Sequence, residues 1–566
     1  VSHERWVAAL VLALAAWLCF GALGARSLEN KDITRTAEIA RETVQTGRWL
    51  APTREGELET EKPPLYIWLV AGLGMATGRI GALESRLPAA AASYLSVLLI
   101  FFWVRSRLGT RPATVAAAFL ALGQIFLELA RLSRVDSTFA LLLAVAAILS
   151  YEAQGRAVGK QLLLSALSGA ALAGAMLAKS PLLAVVLHLA ATGGFYIVDL
   201  GLSRPWERLE EPAPLNILRR YLAPPASLPP ILAGCLFALW FFPFKGALSP
   251  VEWEAVKHQF IFENIERGSS GADKPQPFWF YVPGVLFRSA PGSLFALLSY
   301  ALVKDEREGE RPVLRFAQAW WFFPFLVLSI ASGKQARYLL PVLPGLAVAG
   351  ALGFERFARS TEPWAARARL ALAWTLGIAG ALAALVLPIV ASRLLPDVLG
   401  DACFYSVLCA VIALLGFTAV KDGSFLPALL LAFFVGESAF NVSVLPSPTI
   451  DRRRSIVKRL SEKLPQDLRL DDLVILQPPA SQGETRQRRL RILLSLYRDE
   501  LAFARMTSDA KTFLDELSAS PGRRGLVDGE TWAETAPIAS SLSVEHDWTL
   551  EAEKGSERFR LVRRSN

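Results

Sequence analysis

The chain has 566 residues, 53% of them hydrophobic and 20% charged, with a mean hydropathy of +0.36. That is too long and too apolar for one soluble core, and the apolar residues fall in long runs, so a polytopic membrane protein is expected. The formal charge of +9 lies mainly in short loops, which argues against a nucleic-acid partner. Four cysteines and four scattered histidines offer neither a disulfide framework nor a His-built zinc site.

The first apolar run, 6–24, is too long for a signal-peptide core and lacks a clear small-residue cleavage site, so it reads as a retained span. A charged loop follows over 25–85, carrying Asp32 and, about thirty positions later, Glu61-Lys62-Pro63-Pro64. Within it the apolar stretch 65–77, interrupted by Gly72 and Gly74, reads as a surface-lying or re-entrant helix. Twelve further runs predict spans at roughly 86–104, 113–128, 138–151, 161–178, 181–199, 226–247, 281–302, 316–331, 338–354, 368–391, 402–420 and 424–440, about thirteen in all. From about 445 the chain becomes charged, with short apolar stretches at Asp472–Leu476 and Ser541–Val544 and helical patterning around 488–517. The expected architecture is therefore an all-α polytopic membrane domain over 1–444 followed by a soluble α/β domain over 445–566.

Orientation follows from the basic loops. With the N-terminus in the cytoplasm, the inner loops hold Arg105, Arg107 and Arg111, then Arg156 and Lys160, then Arg204, Arg208, Arg219 and Arg220. Lys304, Arg307, Arg311 and Arg315 follow on the same side, and then Arg356, Arg359, Arg367 and Arg369. The outer face then receives 25–85, 129–137, 248–280, 332–337 and the C-terminal domain.

This parity places Asp32 and Asp136 on one face. A carboxylate at the start of a span is costly to bury and by default functional; the bland alternative for Asp136 is an ion pair with Arg131 or Arg134. The outer-face cations Lys62, Arg86, Lys179, Arg267, Lys334 and Arg337 lie where a lipid phosphate would, and two prolines after Lys62 restrict its backbone. Acids and cations above a hydrophobic bundle suit a reaction whose leaving group is a lipid-anchored phosphate. Cations stabilise the charge developing on the departing group, and a carboxylate orients or deprotonates the acceptor.

The segments Asp32–Glu42, Gly47–Pro52, Glu61–Trp68, Glu84–Pro88, Arg131–Asp136, Glu263–Arg267 and Ser332–Pro341 resemble, in that order, the membrane glycosyltransferases of the GT-C fold. The resemblance lies within the protein O-mannosyltransferase superfamily, in particular with the bacterial aminoarabinose transferases that modify lipid A. It implies a polyprenyl-phosphate-linked sugar as donor and a lipid A-like glycolipid, glycan or protein as acceptor. It also implies a bacterial inner membrane as the location, with the active site and C-terminal domain facing the periplasm. By the same resemblance Asp32 and Asp136 are catalytic acids, and Lys62, Arg267, Lys334 and Arg337 bind the donor phosphate. Glu61, Arg86, Arg131, Arg134, Tyr66 and Tyr338 are implied as pocket residues. Two positions depart from the pattern. Ile33 replaces the second acid of the family's Asp-Glu pair, and Asn264 stands where the aminoarabinose transferases carry a His that joins the residue matching Glu61 in binding zinc. No cofactor is expected, and both a divalent metal at Glu61 and lipid A as acceptor lose support. The alternative is a transporter or flippase of lipid-linked saccharides, but the acids lie at span ends and the spans show no two-fold repeat.

Overall fold

The computed structural model describes residues 2–25, 31–54, 56–59, 61–202, 219–220, 222–262, 275–301, 309–447, 456–476, 494, 505–507, 509–519, 522–528, 532, 538, 540–552 and 555–564. The chain divides into two compact units. One comprises Val1–Gly21, Arg48–Trp68 and Arg86–Val442; the other comprises Ala22–Gly47, Leu69–Ser85 and Ser443–Asn566.

The helices run α1 (Ser2–Phe20), α2 (Lys31–Thr46), α3 (Leu65–Thr77), α4 (Ala82–Leu108), α5 (Thr110–Ala121) and α6 (Gln124–Ala130). Next come α7 (Asp136–Ala153), α8 (Val158–Ala178), α9 (Pro181–Leu202), α10 (Pro224–Gly246) and α11 (Pro250–Ile261). They continue with α12 (Tyr281–Arg288), α13 (Gly292–Ala301), α14 (Glu310–Ile330), α15 (Leu343–Arg359), α16 (Pro363–Leu394), α17 (Leu399–Asp422) and α18 (Leu426–Ser438). Among the described residues 11 helices are long and apolar enough to cross a membrane, and two bent pairs raise the number to 13 if each is one span. They fall on the thirteen runs read from the sequence, and the chain is a multi-pass membrane protein. The 13 residues of α3 rise only about 20 Å, short of a hydrocarbon core of about 30 Å.

The bent pairs have local causes. Helices α5 and α6 meet at 67° across Leu122-Gly123, and Phe278–Arg288 meets α13 at 103° across a break that contains Pro291. Pro lacks the N–H that would continue a helix, and backbone groups freed inside a membrane must find partners within the protein. Ser293 Oγ donates to the Leu286 carbonyl at 2.9 Å and so supplies one.

In the first unit, 94% of the residues in the apolar window of the span Ala336–Arg359 are buried, against 22% for Pro363–Leu394. Small residues in the former explain how it packs. A Cβ on Gly345 would lie 3.0 Å from the Ala317 carbonyl, and one on Gly350 or Gly353 would meet the backbone of Gly292 or Phe295 still more closely. Helices α13 and α14 therefore approach α15 at backbone distance, as small residues permit between spans.

In the second unit a five-stranded sheet contains β3 (Leu473–Leu476), β4 (Arg505–Thr507), β5 (Arg524–Asp528), β6 (Leu542–Ala552) and β7 (Gly555–Arg564). Its order is β4-β3-β5-β7-β6; β3 pairs parallel with β4 and β5, and β7 pairs antiparallel with β5 and β6. Leu473 and Ile475 join one apolar cluster and Val474 and Leu476 another. This is the period of two expected of a strand covered on both faces. Among the described residues, the helical patterning read around 488–517 holds at Leu494 and over Ala510–Ser518 but not over Arg505–Thr507. Arg505–Thr507 is a strand because its backbone pairs with β3, and most of 488–504 lies outside the described residues.

Candidate active site

The site grows from the segment 48–68. Strands β1 (Thr53–Arg54) and β2 (Glu57–Leu58) form a tight hairpin, with Gly56 at φ 82, where a side chain would be strained. After it come Lys62-Pro63-Pro64 and the start of α3, where Trp68 Nε1 donates to the Trp49 carbonyl at 2.7 Å. A second element, α11, starts at a capping box: Ser249 Oγ accepts from Glu252 N at 3.3 Å, and Glu252 accepts from Ser249 N at 2.8 Å. The Ser249 N–H holds the Glu252 carboxyl below the usual carboxylate range. Ala51, Phe244 and Val256, with Trp240 and Trp253 packed on them, join the hairpin, α10 and α11 into one small apolar cluster.

Beneath this cluster lies a cavity of about 270 Å³. One part of its lining is charged, from Glu59, Glu61, Lys62, Asp136, Lys179 and Arg337; the other is the aromatic face of α10, from Phe237 to Phe244. Lys179 Nζ donates to Asp136 Oδ1 at 2.6 Å, and the two side chains are 10% and 5% exposed. The ammonium also lies 4.5 Å from the Tyr338 ring centroid and 5.3 Å from that of Phe139. Helix geometry explains the pair. Asp136 opens α7 and Lys179 follows the last residue of α8, so acid and base stand at the helix ends whose dipoles favour them, each by about 0.3–1 kcal/mol.

Several residues expected from the sequence therefore meet in this cavity: Asp136, Lys62, Arg337, Glu61 and Tyr338. Lys179 was visible as an outer-face cation, but its pairing was not. The ion pair that Asp136 makes is to Lys179, not to Arg131 or Arg134 as in the bland alternative, because α7 and α8 are neighbours whose ends meet.

Other expected pocket residues lie outside the lining. Arg131, 6% exposed, donates to the Leu18 and Gly21 carbonyls at 2.7 Å each and to the Asn441 carbonyl at 3.0 Å. It caps the end of the first span and fastens it to the end of the last, satisfying carbonyls that a helix end leaves open. Tyr66 is fully buried beside Ser133 and the backbones of Ala89 and Arg134, and Arg86 is buried near the start of α4. Arg134 is half-buried in the turn before α7. Lys334, 4% exposed, donates to the Gln276 carbonyl at 2.9 Å beside the bridge between Pro275 and Gly333, and so braces the segment that carries Arg337 and Tyr338. Asp32 belongs to α2, but its side chain lies outside the described residues, as do Asn264 and Arg267. Among the described residues no three His, Cys, Asp or Glu side chains converge in a way that could hold a metal ion.

Comparison with known proteins gives consistent likenesses. Residues 61–209, the stretch that holds Lys62, Asp136 and Lys179, match the family described as dolichyl-phosphate-mannose-protein mannosyltransferase. The undecaprenyl phosphate-alpha-4-amino-4-deoxy-L-arabinose arabinosyl transferase of Edwardsiella ictaluri is 31% identical over 58% of this chain and 55% of its own length. A second transferase of that name, from Proteus mirabilis, is 27% identical over 68% of this chain and 66% of its own. The chain thus spans about half to two thirds of these relatives. ArnT from Cupriavidus metallidurans, in a crystal structure bound to undecaprenyl phosphate, matches with a TM-score of 0.66 and 19% identity, over 98% of each chain. At that identity the likeness establishes a shared fold.

Proposed function

We propose that this chain, which has the GT-C fold and matches the dolichyl-phosphate-mannose-protein mannosyltransferase family over 61–209, transfers a sugar from a polyprenyl phosphate to an acceptor at the periplasmic face of a bacterial inner membrane. The acceptor is a glycolipid, glycan or protein. The observation that carries this reading is the two-part cavity: Lys62, Lys179 and Arg337 share its lining with the aromatic face of α10. Such a site accommodates an anionic head on an apolar chain.

The reaction is a displacement at the anomeric carbon. The acceptor oxygen forms the new bond, the bond from that carbon to the phosphate oxygen breaks, and the electron pair leaves on the polyprenyl phosphate. The three cations stabilise the charge that develops there, the class of effect whose removal costs about 10²–10³-fold in kcat. By the resemblance, Arg267 is a further donor-phosphate ligand and Asp32 orients or deprotonates the acceptor, while Lys334 keeps the Arg337 segment in place. The test is transfer from a polyprenyl-phosphate sugar in proteoliposomes, with Lys62→Ala, Arg337→Ala and Asp32→Asn compared with wild type. Losses of about a hundredfold or more in the cation variants are expected; wild-type rates in all three would refute the assignment.

A further inference from the structure

The Asp136–Lys179 pair does more than neutralise itself. The two groups meet at 2.6 Å while almost buried, both line the cavity, and the faces of Tyr338 and Phe139 restrict where the ammonium can go. An ammonium has three N–H donors, so Lys179 can keep Asp136 and still reach a phosphate oxygen in the same cavity. With a donor phosphate in the cavity, the ammonium has a second anion to pair with when Asp136 takes up a proton.

We propose that Lys179 couples proton uptake by Asp136 to departure of the leaving group, which makes Asp136 the base of the transfer and leaves acceptor orientation to Asp32. The inference rests on the reading of the site as a polyprenyl-phosphate glycosyltransferase. Before the step, the carboxylate, ammonium and phosphodiester carry −1, +1 and −1. As the anomeric C–O bond breaks, its electron pair raises the phosphate toward −2. The acceptor hydroxyl gives its oxygen to the anomeric carbon and its proton to Asp136, which becomes neutral. The sum stays at −1, and the ammonium pairs throughout with whichever oxygen carries the charge. An acceptor therefore loses its proton only when a donor phosphate is present, so donor binds before the chemistry begins.

The experiment is single-turnover transfer to a hydroxyl acceptor by the full chain, comparing Asp136→Asn, Lys179→Met and the double variant, with thermal unfolding of each measured alongside. Either single change should slow transfer by about 10²–10⁴-fold, and the double variant should be no slower than the worse single one, because the two groups act as a unit. Wild type should slow in heavy water, and Asp136→Asn should not slow further. The double variant carries no unpaired charge, so it reports even where a single variant fails to fold. Losses that multiply in the double variant, or near-wild-type transfer by Asp136→Asn, would overturn the coupling and leave the glycosyltransferase reading intact. Absence of transfer by wild type would overturn the glycosyltransferase reading itself.

Discussion

Replacing Arg131 by Met removes three hydrogen bonds from one guanidinium to the carbonyls of Leu18, Gly21 and Asn441. Bonds to a charged group contribute about 1.5–3 kcal/mol each, but burying the guanidinium itself costs several kcal/mol that the variant recovers. The balance predicts a loss of about 3–5 kcal/mol, with Lys at the same position intermediate, because a compact ammonium cannot span a fork of three acceptors. Reversible unfolding in detergent, followed by tryptophan fluorescence, measures this directly. A residue that served the pocket instead would raise the KM for the donor and leave stability alone. A variant within about 1 kcal/mol of wild type but with a raised KM would therefore refute the clasp.

Gly353→Ala should destabilise the membrane unit by about 1–3 kcal/mol through overpacking, because its Cβ would meet the Phe295 carbonyl, whereas Gly234→Ala, with nothing within 4 Å, should be neutral or mildly stabilising; unfolding of the two variants gives the comparison. Tyr338→Phe keeps the ring face that lies 4.5 Å from Lys179, so it should preserve transfer, while Tyr338→Leu should lower kcat/KM by about tenfold, the equivalent of a partly desolvated cation–π contact. In the C-terminal sheet, Arg558 and then Arg560 hold the Asp547 carboxyl below the usual carboxylate range. Because the folded value is depressed, the stabilisation is complete above the ordinary carboxylate range and is lost as pH falls through the lowered value. Protection factors for hydrogen exchange in β6 and β7 should fall below about pH 4 in wild type, and fall less in Asp547→Asn.

The spans were legible because the bilayer imposes a length that few other structures require, and each apolar run became a helix or a bent pair. What the sequence hid was partnership across distance. Arg131 and Arg134 were the obvious partners for Asp136 because they are near in the chain, yet Lys179 lies 43 positions away and reaches it through the α7–α8 hairpin. Arg131, expected at the substrate, instead bonds carbonyls 110, 113 and 310 positions distant, and no local pattern encodes a carbonyl. Lys62 was easier to find: the two prolines that follow it marked a fixed backbone, and it lines the cavity. The strand at Arg505–Thr507 was misread because three residues carry too short a pattern to outweigh the pairing that β3 supplies.

The clasp at Arg131 also bears on how the protein is made. Its carbonyl partners lie in the first and last spans, which Trp17 and Ser438 join again at 3.1 Å across 421 positions. At about 5–20 residues per second, a ribosome needs roughly 20–80 s to go from one to the other. Throughout that interval the turn that carries Asp136 lacks the Asn441 carbonyl as an anchor, and a chain released early never acquires it. The turn at the centre of the proposed chemistry is thus secured only after the last span has been made, and a chain that stops short of Asn441 lacks that anchor.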